Sequence, residues 1–120
     1  MAQVFDVVVV GSGGGGLSAA ITAAKRGLEV LLIEKTEYFG GATALSGGGT
    51  WIPANSLARN QGIEDSIDDA RTYVEKVVGE TLRKDVLDAF LENAPAMLDY
   101  MLAETEVNFY VAPFSPDYHP

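Results

Sequence analysis

The stretch VFDVVVVGSGGGG, residues 4–16, decides the fold of this chain. Its first part, Val4–Val10, is a run of mainly β-branched residues, which is typical of a strand buried on both faces of a parallel sheet. The glycines follow directly, and the alanine-rich segment Gly14–Arg26 has apolar residues at helical spacing. A second apolar run, Leu28–Glu34, ends on an acid. The sequence therefore predicts a strand–helix–strand unit with a right-handed crossover.

The glycine loop matches the pattern G-x-G-x-x-G through Gly11, Gly13 and Gly16. The match alone is weak, since four consecutive glycines nearly force it, but here it lies between a predicted strand and a predicted helix. Gly11 permits the tight turn, Gly13 lets the backbone approach a pyrophosphate, and Gly16 allows the helix to pack closely on the strand. The helix start also offers free N–H groups to phosphates. This arrangement predicts a dinucleotide site but does not choose between FAD and NAD.

Glu34 ends the second predicted strand, 18 residues after Gly16. A carboxylate at this place accepts hydrogen bonds from a ribose. Because it also repels an adenosine 2′-phosphate, NADP is the dinucleotide least suited to the site.

The composition excludes several classes of protein. The chain has 120 residues, of which 48% are hydrophobic and 21% charged, with no cysteine and a formal net charge of −9. The apolar fraction is typical of a globular domain, and the lack of cysteine excludes a disulfide framework and thiolate chemistry. The acidic balance argues against a nucleic-acid partner, because no basic patch would neutralise phosphates. No metal site is expected.

Charge and glycine content divide the chain into two parts. The first 60 residues have four basic and four acidic side chains, whereas the last 60 have four basic and 13 acidic ones. Eleven of the 13 glycines lie between Gly11 and Gly49. The N-terminal apolar run is too short for a signal peptide or a transmembrane segment, so a cytoplasmic location is the default expectation.

The acidic part is predicted to be helical. A capping box at Ser66 begins a helix that ends at Gly79. Further helices are predicted over residues 82–92 and from Pro95 onward, since proline favours the first turn of a helix. Residues 107–111 alternate weakly and predict a short strand.

Residues 36–56 are predicted to form a long loop with two glycine clusters, Gly40–Gly41 and Gly47–Gly49. An NAD-binding domain normally continues into another helix soon after its second strand. The loop instead suits close passage of the backbone beside a flat ring and a second face of a pyrophosphate, with hydroxyl groups from Thr43 and Ser46. The alternative is a glycine-rich surface turn.

These motifs together resemble a known family. The segment Asp6–Glu34, with the later runs Gly40–Gly41, Ser46–Gly48 and Trp51–Pro53, is similar to the N-terminus of the FAD-dependent fumarate reductase/3-ketosteroid dehydrogenase superfamily. The run that ends at Asn55 is most similar to 3-ketosteroid Δ1-dehydrogenases. The fumarate reductase branch usually has an Asn-Thr or Asn-Ser pair after the first Gly-Gly, whereas this chain has Ala-Thr. The resemblance covers essentially the whole chain and implies an α/β, Rossmann-like FAD-binding fold, present here as an incomplete domain.

The resemblance implies which residues contact the cofactor. Those expected at the FAD pyrophosphate are Gly11, Ser12, Gly13 and Gly16. Those expected at the adenosine ribose are Glu34 and Lys35. Those expected along the ribityl chain and isoalloxazine are Gly41, Ala42, Thr43, Ser46, Gly47 and Gly48.

One catalytic candidate follows from the same resemblance. The segment Ser115–Tyr118 is similar to a Pro-Asp-Tyr segment of the family, whose tyrosine reaches the substrate pocket. Tyr118 is therefore the candidate active-site residue, and a structural tyrosine is an equally good interpretation.

The activity implied is that of a flavin-dependent oxidoreductase, which moves a hydride from a CH–CH group of a ketosteroid or similar enone to flavin N5. Residues 1–55 would be the FAD-binding unit with the second glycine loop, and residues 56–120 a helical segment leading to the substrate domain. In the family, the catalytic base and the ketone-binding groups come from later in the chain. The chain alone is therefore expected to be inactive without the missing C-terminal part. The alternatives are a fumarate reductase-like or other ene-reductase, and a non-catalytic dinucleotide-binding module.

Overall fold

The structure is a computed structural model that describes residues 3–113, and the chain divides after Thr50 into two compact units. The first unit contains a parallel strand pair and its connecting helix, and the second is helical. In chain order, the elements are the strand β1 (Val7–Val10), the helix α1 (Gly14–Lys25), the strand β2 (Val30–Ile33), the helices α2 (Gly41–Leu45), α3 (Ser56–Asn60) and α4 (Ile67–Val78), a 3₁₀ turn (Gly79–Thr81) and the helix α5 (Lys84–Glu104).

The first unit has the predicted order of strand, helix and strand. β1 pairs with β2 in parallel, from Val7 opposite Val30 to Val10 opposite Ile33. α1 packs against both strands and is followed by Gly27, whose φ of +82° is the left-handed conformation expected after a helix. The coarse prediction of an α/β fold with a parallel sheet is therefore confirmed.

The prediction that the first strand is buried on both faces is wrong for the described residues. Burial alternates along β1, with Val8 54% and Val10 78% exposed, and Ile33 of β2 is also exposed. The reason is that the helix of this unit covers one face of the two strands only. An apolar face of the sheet remains open.

The second unit has a helical core built from two small clusters. Ile52 packs with Ala94 and Leu98, and the second cluster joins Ala70 to α5 through Leu87 and Leu91. The start of α4 is as predicted, because the Ser66 hydroxyl accepts a hydrogen bond from the Asp69 amide at 3.0 Å. Within residues 3–113, no helix is long and apolar enough to cross a membrane.

The predicted helix boundary at Pro95 is wrong, because α5 continues through this proline. The buried residues of the helix form one uninterrupted stripe, namely Leu87, Leu91, Ala94, Leu98 and Met101. A proline within a helix costs about 3 kcal/mol. Burial of each leucine in the stripe contributes roughly 1.5–3 kcal/mol, so packing outweighs the local preference.

Two further predictions need correction. No strand forms over residues 107–111 in the part of the chain that the structure describes. Their alternation reflects packing instead, since Phe109 lies against the cluster of Ile52 and Leu98. The loop predicted over residues 36–56 also contains the short helix α2, which begins at the first of its two glycine clusters.

Candidate functional site

The first glycine loop connects the end of β1 to the start of α1 in one tight turn. Gly11 has a φ of +94°, which favours glycine, and its amide donates to the carbonyl of Ile33 at 2.7 Å. A Cβ at Gly16 would lie 1.9 Å from the Gly11 carbonyl oxygen. The close approach between helix and strand, for which the sequence required a small residue, is therefore present.

The start of α1 leaves backbone N–H groups without protein acceptors. Gly13 is the residue before the helix and makes no side-chain cap, and the Gly14 amide donates to Thr43 Oγ1 at 3.1 Å. In the described part of the chain, the amides of Gly15 and Gly16 have no acceptor, as expected for the first turn of a helix. A Cβ at Gly13 would meet no atom of residues 3–113 within 4 Å, so these residues leave the space beside Gly13 open. This arrangement suits a pyrophosphate.

Glu34 follows β2 directly and is tied to the first loop. Its Oε2 accepts hydrogen bonds from the Ser12 amide at 2.9 Å and the Ser12 hydroxyl at 2.5 Å, and its Oε1 accepts from the Thr36 amide at 3.1 Å. These bonds, that of the Ser12 hydroxyl first, lower the pKa of Glu34 to about 2. The carboxylate is therefore ionised throughout the neutral range and ready to accept from a ribose hydroxyl.

The second glycine cluster is anchored on the first loop. The Gly40 amide donates to Ser12 Oγ at 2.9 Å, and Gly40 is buried with a φ of +107°. A Cβ on Gly41 would lie 3.1 Å from Gly13 Cα. The two glycine segments, 28 residues apart at Ser12 and Gly40, therefore meet at van der Waals distance.

The rest of the second loop is exposed. Thr43 Oγ1 accepts from Gly14, which leaves its own O–H free to donate. The Ser46 hydroxyl donates to the Thr43 carbonyl at 2.8 Å and accepts from the Gly48 amide at 3.1 Å, so that it shapes the turn after α2. Ala42 and Gly47 are exposed.

The predicted site residues do not all lie together, and Ser46, Gly47 and Gly48 belong to the exposed part of the second loop. The structure brings the first loop, Glu34 and the start of α2 together within the first unit. Lys35 follows Glu34 in sequence and is exposed. Tyr118 lies outside the described residues. The assignment of these residues to a bound cofactor stays a prediction.

Two residues of this network were not singled out as site residues by the sequence. Thr36 donates its amide to Glu34, and its hydroxyl donates to the Tyr38 carbonyl at 2.7 Å. Gly40 was visible only as the first half of a Gly-Gly pair. The need for glycine at this position is evident only in the structure, where a Cβ at Gly40 would lie 2.5 Å from that of Ala44.

Comparison with known proteins identifies close relatives over nearly the whole chain. The family described as "FAD binding domain" matches residues 6–119. A 3-oxosteroid 1-dehydrogenase of Mycobacterium tuberculosis is 45% identical over 118 residues, which are 98% of this chain and 21% of that protein. A 4-oxocyclohex-2-ene-1-carboxylate 5-dehydrogenase of Sinomonas cyclohexanicum is 41% identical over 113 residues, 94% of this chain and 19% of the relative.

A solved structure is similar as well. The crystal structure of 3-ketosteroid delta1-dehydrogenase from Sterolibacterium denitrificans, in complex with 1,4-androstadiene-3,17-dione, superimposes with a TM-score of 0.73 and 45% identity. The alignment covers 82% of this chain and 17% of that protein. The resemblance found in the sequence is thus confirmed. The chain spans about a fifth of the length of the first curated relative.

Proposed function

The chain belongs to the FAD binding domain family, and we propose that it is the N-terminal FAD-binding segment of a longer dehydrogenase that oxidises a CH–CH group beside a ketone. FAD, the predicted cofactor, is confirmed by the family match. The proposed substrate is a 3-ketosteroid or a smaller cyclic ketone, since relatives named for each are at least 41% identical to this chain. The observation that carries the proposed site is the meeting of the two glycine segments beside Glu34.

The first unit offers the kinds of groups that would hold FAD. The free amides of Gly15 and Gly16 and the open space beside Gly13 would receive the pyrophosphate. Glu34 would accept a ribose hydroxyl through Oε1, which accepts from the Thr36 amide, whereas Oε2 accepts from both the amide and the hydroxyl of Ser12. The exposed backbone of residues 41–48 would follow the ribityl chain and the ring. If both glycine segments contact the same ligand, the presence of two such segments in the chain is explained.

Bound FAD supplies the hydride acceptor of the reaction. The residues of this chain would bind and orient the cofactor, because the positive end of the α1 dipole attracts phosphates and the Glu34 carboxylate can accept from a ribose hydroxyl. The groups that remove the proton and bind the ketone oxygen would come from elsewhere in the longer protein. Tyr118 is proposed to reach the substrate pocket and lies outside the described residues.

The apolar face of the two-stranded sheet supports a longer protein. Val8, Val10 and Ile33 are exposed side by side on the sheet, and such a pair of strands is marginal by itself. Further strands and a covering layer, contributed by additional chain, would bury this face. We therefore propose a Rossmann-like domain that begins with residues 1–55, followed by a helical segment, 56–120, that leads toward the substrate domain.

The proposal is tested on the full-length polypeptide that contains this chain. We expect a yellow protein whose flavin absorbance bleaches when a 3-ketosteroid or 4-oxocyclohexanecarboxylate is added without oxygen. Reoxidation of the chemically reduced flavin by an enone, with no bleaching of the oxidised flavin by either of these two ketones, would identify an ene-reductase instead. A colourless protein that binds NAD would overturn the proposal.

A further inference from the structure

We propose that Ser12 is a positioning residue for the cofactor: one buried hydroxyl holds the ribose-binding carboxylate of Glu34 and the start of the second glycine segment, at Gly40, in a single arrangement. The inference rests on the proposed FAD site. It concerns a side chain that the sequence assigned only to the lining of the pyrophosphate.

The burial of Ser12 is unusual for a polar residue in an open loop. Its relative exposure is 0%, whereas the neighbouring glycines of the loop are partly or fully exposed. Its Oγ donates to Glu34 Oε2 at 2.5 Å and accepts from the Gly40 amide at 2.9 Å. Among the uncharged side chains, a small hydroxyl is the group that both donates and accepts at one atom. Alanine cannot make either bond, and a thiol makes both weakly.

The bonds from Ser12 also determine which carboxylate oxygen faces the ligand. An ionised carboxylate has about four acceptor positions, two on each oxygen. The amide and hydroxyl of Ser12 occupy both positions on Oε2, and the Thr36 amide occupies one on Oε1. Of the two oxygens, Oε1 accepts fewer side-chain and amide hydrogen bonds from the described residues, and it is the one proposed to accept from a ribose hydroxyl. Ser12 therefore orients Glu34 for one strong contact with the ribose.

Ser12 also keeps that carboxylate charged. Its hydroxyl is the largest cause of the lowered pKa of Glu34, and its amide is the second. Charged side chains contribute little here, because the sequence has none between Asp6 and Lys25, and residues 38–50 contain only Tyr38 as an ionisable group. The charged neighbours are Lys35 and Glu37, both exposed on the segment of Glu34 itself. Below about pH 5, the ionisation of Glu34 therefore depends on these hydrogen bonds, and the Ser12 side chain supplies the first of them.

The first experiment compares wild type with Ser12→Ala in the full-length flavoenzyme. Loss of a hydrogen bond to a charged group weakens binding roughly tenfold to a hundredfold, so we expect the Kd for FAD to rise by that factor at pH 7. The second readout is the pH profile of FAD binding between pH 7 and pH 4. The wild-type affinity should stay level, whereas that of the variant should fall further below about pH 5, since its Glu34 regains a higher pKa and takes up a proton.

Matched variants separate positioning from a general loss of stability. Ser18→Ala changes a serine of α1 outside this network and should leave both the Kd and the pH profile as in wild type. Ser12→Thr keeps the hydroxyl and should keep the level pH profile, even where its extra methyl group weakens binding. In Glu34→Gln, the additional change Ser12→Ala should weaken binding by a smaller factor than it does in wild type, because the two residues act through one contact.

The outcomes distinguish this inference from the proposed function. If wild type binds FAD and Ser12→Ala binds it equally well with a level pH profile, the inference is wrong and the proposed function stands. A loss of affinity in Ser12→Ala that is the same at every pH and fully additive with Glu34→Gln would also overturn it. If wild type does not bind FAD, the proposed function fails, and the inference fails with it.

Discussion

The Cα of Gly16 lies so close to the Gly11 carbonyl that a Cβ there would be 1.9 Å from its oxygen. Two elements meet at this contact, because Gly11 directly follows the strand β1 and Gly16 lies in the first turn of α1. The carbonyl is backbone and cannot rotate away. The absence of a methyl group at Gly16 therefore determines where α1 begins relative to the sheet. It also determines the direction in which the free amides of the first turn point.

The first prediction concerns this contact. Gly16→Ala should lower the thermal midpoint of unfolding and weaken FAD binding at least tenfold, because the helix start must move away from the strand. Gly15→Ala is the matched control, since a Cβ at Gly15 would meet no atom within 4 Å. Alanine is favoured over glycine in a helix by about 1 kcal/mol, so this variant should be as stable as wild type or more stable. Thermal unfolding of the apoprotein measures the stability of both variants, and FAD titration measures the affinity of Gly16→Ala. Equal stability of the two variants would show that the close contact between Gly16 and the Gly11 carbonyl does not exclude a side chain.

The second prediction separates a steric clash from backbone strain in the second glycine loop. Gly40 and Gly48 both have positive φ, +107° and +75°. A Cβ at Gly40 would lie 2.5 Å from the Ala44 Cβ, whereas a Cβ at Gly48 would have no atom of the described residues within 4 Å. Gly48→Ala should therefore cost only the left-handed strain, about 1–2 kcal/mol. Gly40→Ala should cost more and reduce FAD occupancy.

The rescue variant for this pair is Gly40→Ala combined with Ala44→Gly. The second change removes the atom that the new methyl group meets, so the double variant should recover part of the lost stability. Denaturant unfolding of wild type, the two single variants and the double variant measures how much each change alters the free energy of unfolding. Failure of Ala44→Gly to improve on Gly40→Ala would show that the clash is not the cause.

The parts of the fold that the sequence predicted correctly are those where local chemistry and packing agree. The valine run before Gly11 forms a strand, and Ser66 begins a helix through its own hydroxyl. Pro95 shows the opposite case, since its local preference for a helix start is overridden by the buried stripe that includes Leu91 and Leu98. A stripe of this kind depends on tertiary contacts that the sequence does not display.

The same distinction applies to the site. Gly16 was predictable, because its spacing from the strand defines a tight turn. The role of Ser12 was not, because nothing in the sequence shows that its side chain points inward to Glu34 and Gly40. Residues 22 and 28 positions away in the chain determine that orientation. Pairings at such distances depend on how β1, α1 and β2 pack together, which the sequence does not display.

The third prediction concerns acid stability. The pKa of Glu34 is lowered to about 2 from an ordinary value of 4.5, so its charged form is favoured in the folded state. The stabilisation that this carboxylate gives is present above about pH 4.5 and is lost as the pH falls toward 2. Glu34→Gln removes this titration, and its free energy of unfolding should therefore fall less steeply with acid over that range than that of wild type. Denaturant unfolding between pH 6 and pH 3 checks the difference in slope. Asp69→Asn, whose carboxylate lies in the other unit, is the control and should retain the Glu34 contribution.

The fourth prediction concerns the proline inside α5. Pro95 has no N–H to donate to the carbonyl of Leu91, four residues earlier, and is half-buried rather than part of the fully buried stripe. Pro95→Ala restores this donor and should raise the free energy of unfolding, by up to about 3 kcal/mol less the cost of the lost packing. Leu91→Ala, in which a fully buried side chain is truncated, should lower it by about 2–5 kcal/mol. Denaturant unfolding of the full-length protein, followed by far-ultraviolet circular dichroism, measures both. A destabilised Pro95→Ala variant would show that the proline ring contributes more through packing than its missing donor costs, which would place Pro95 in the core of the second unit.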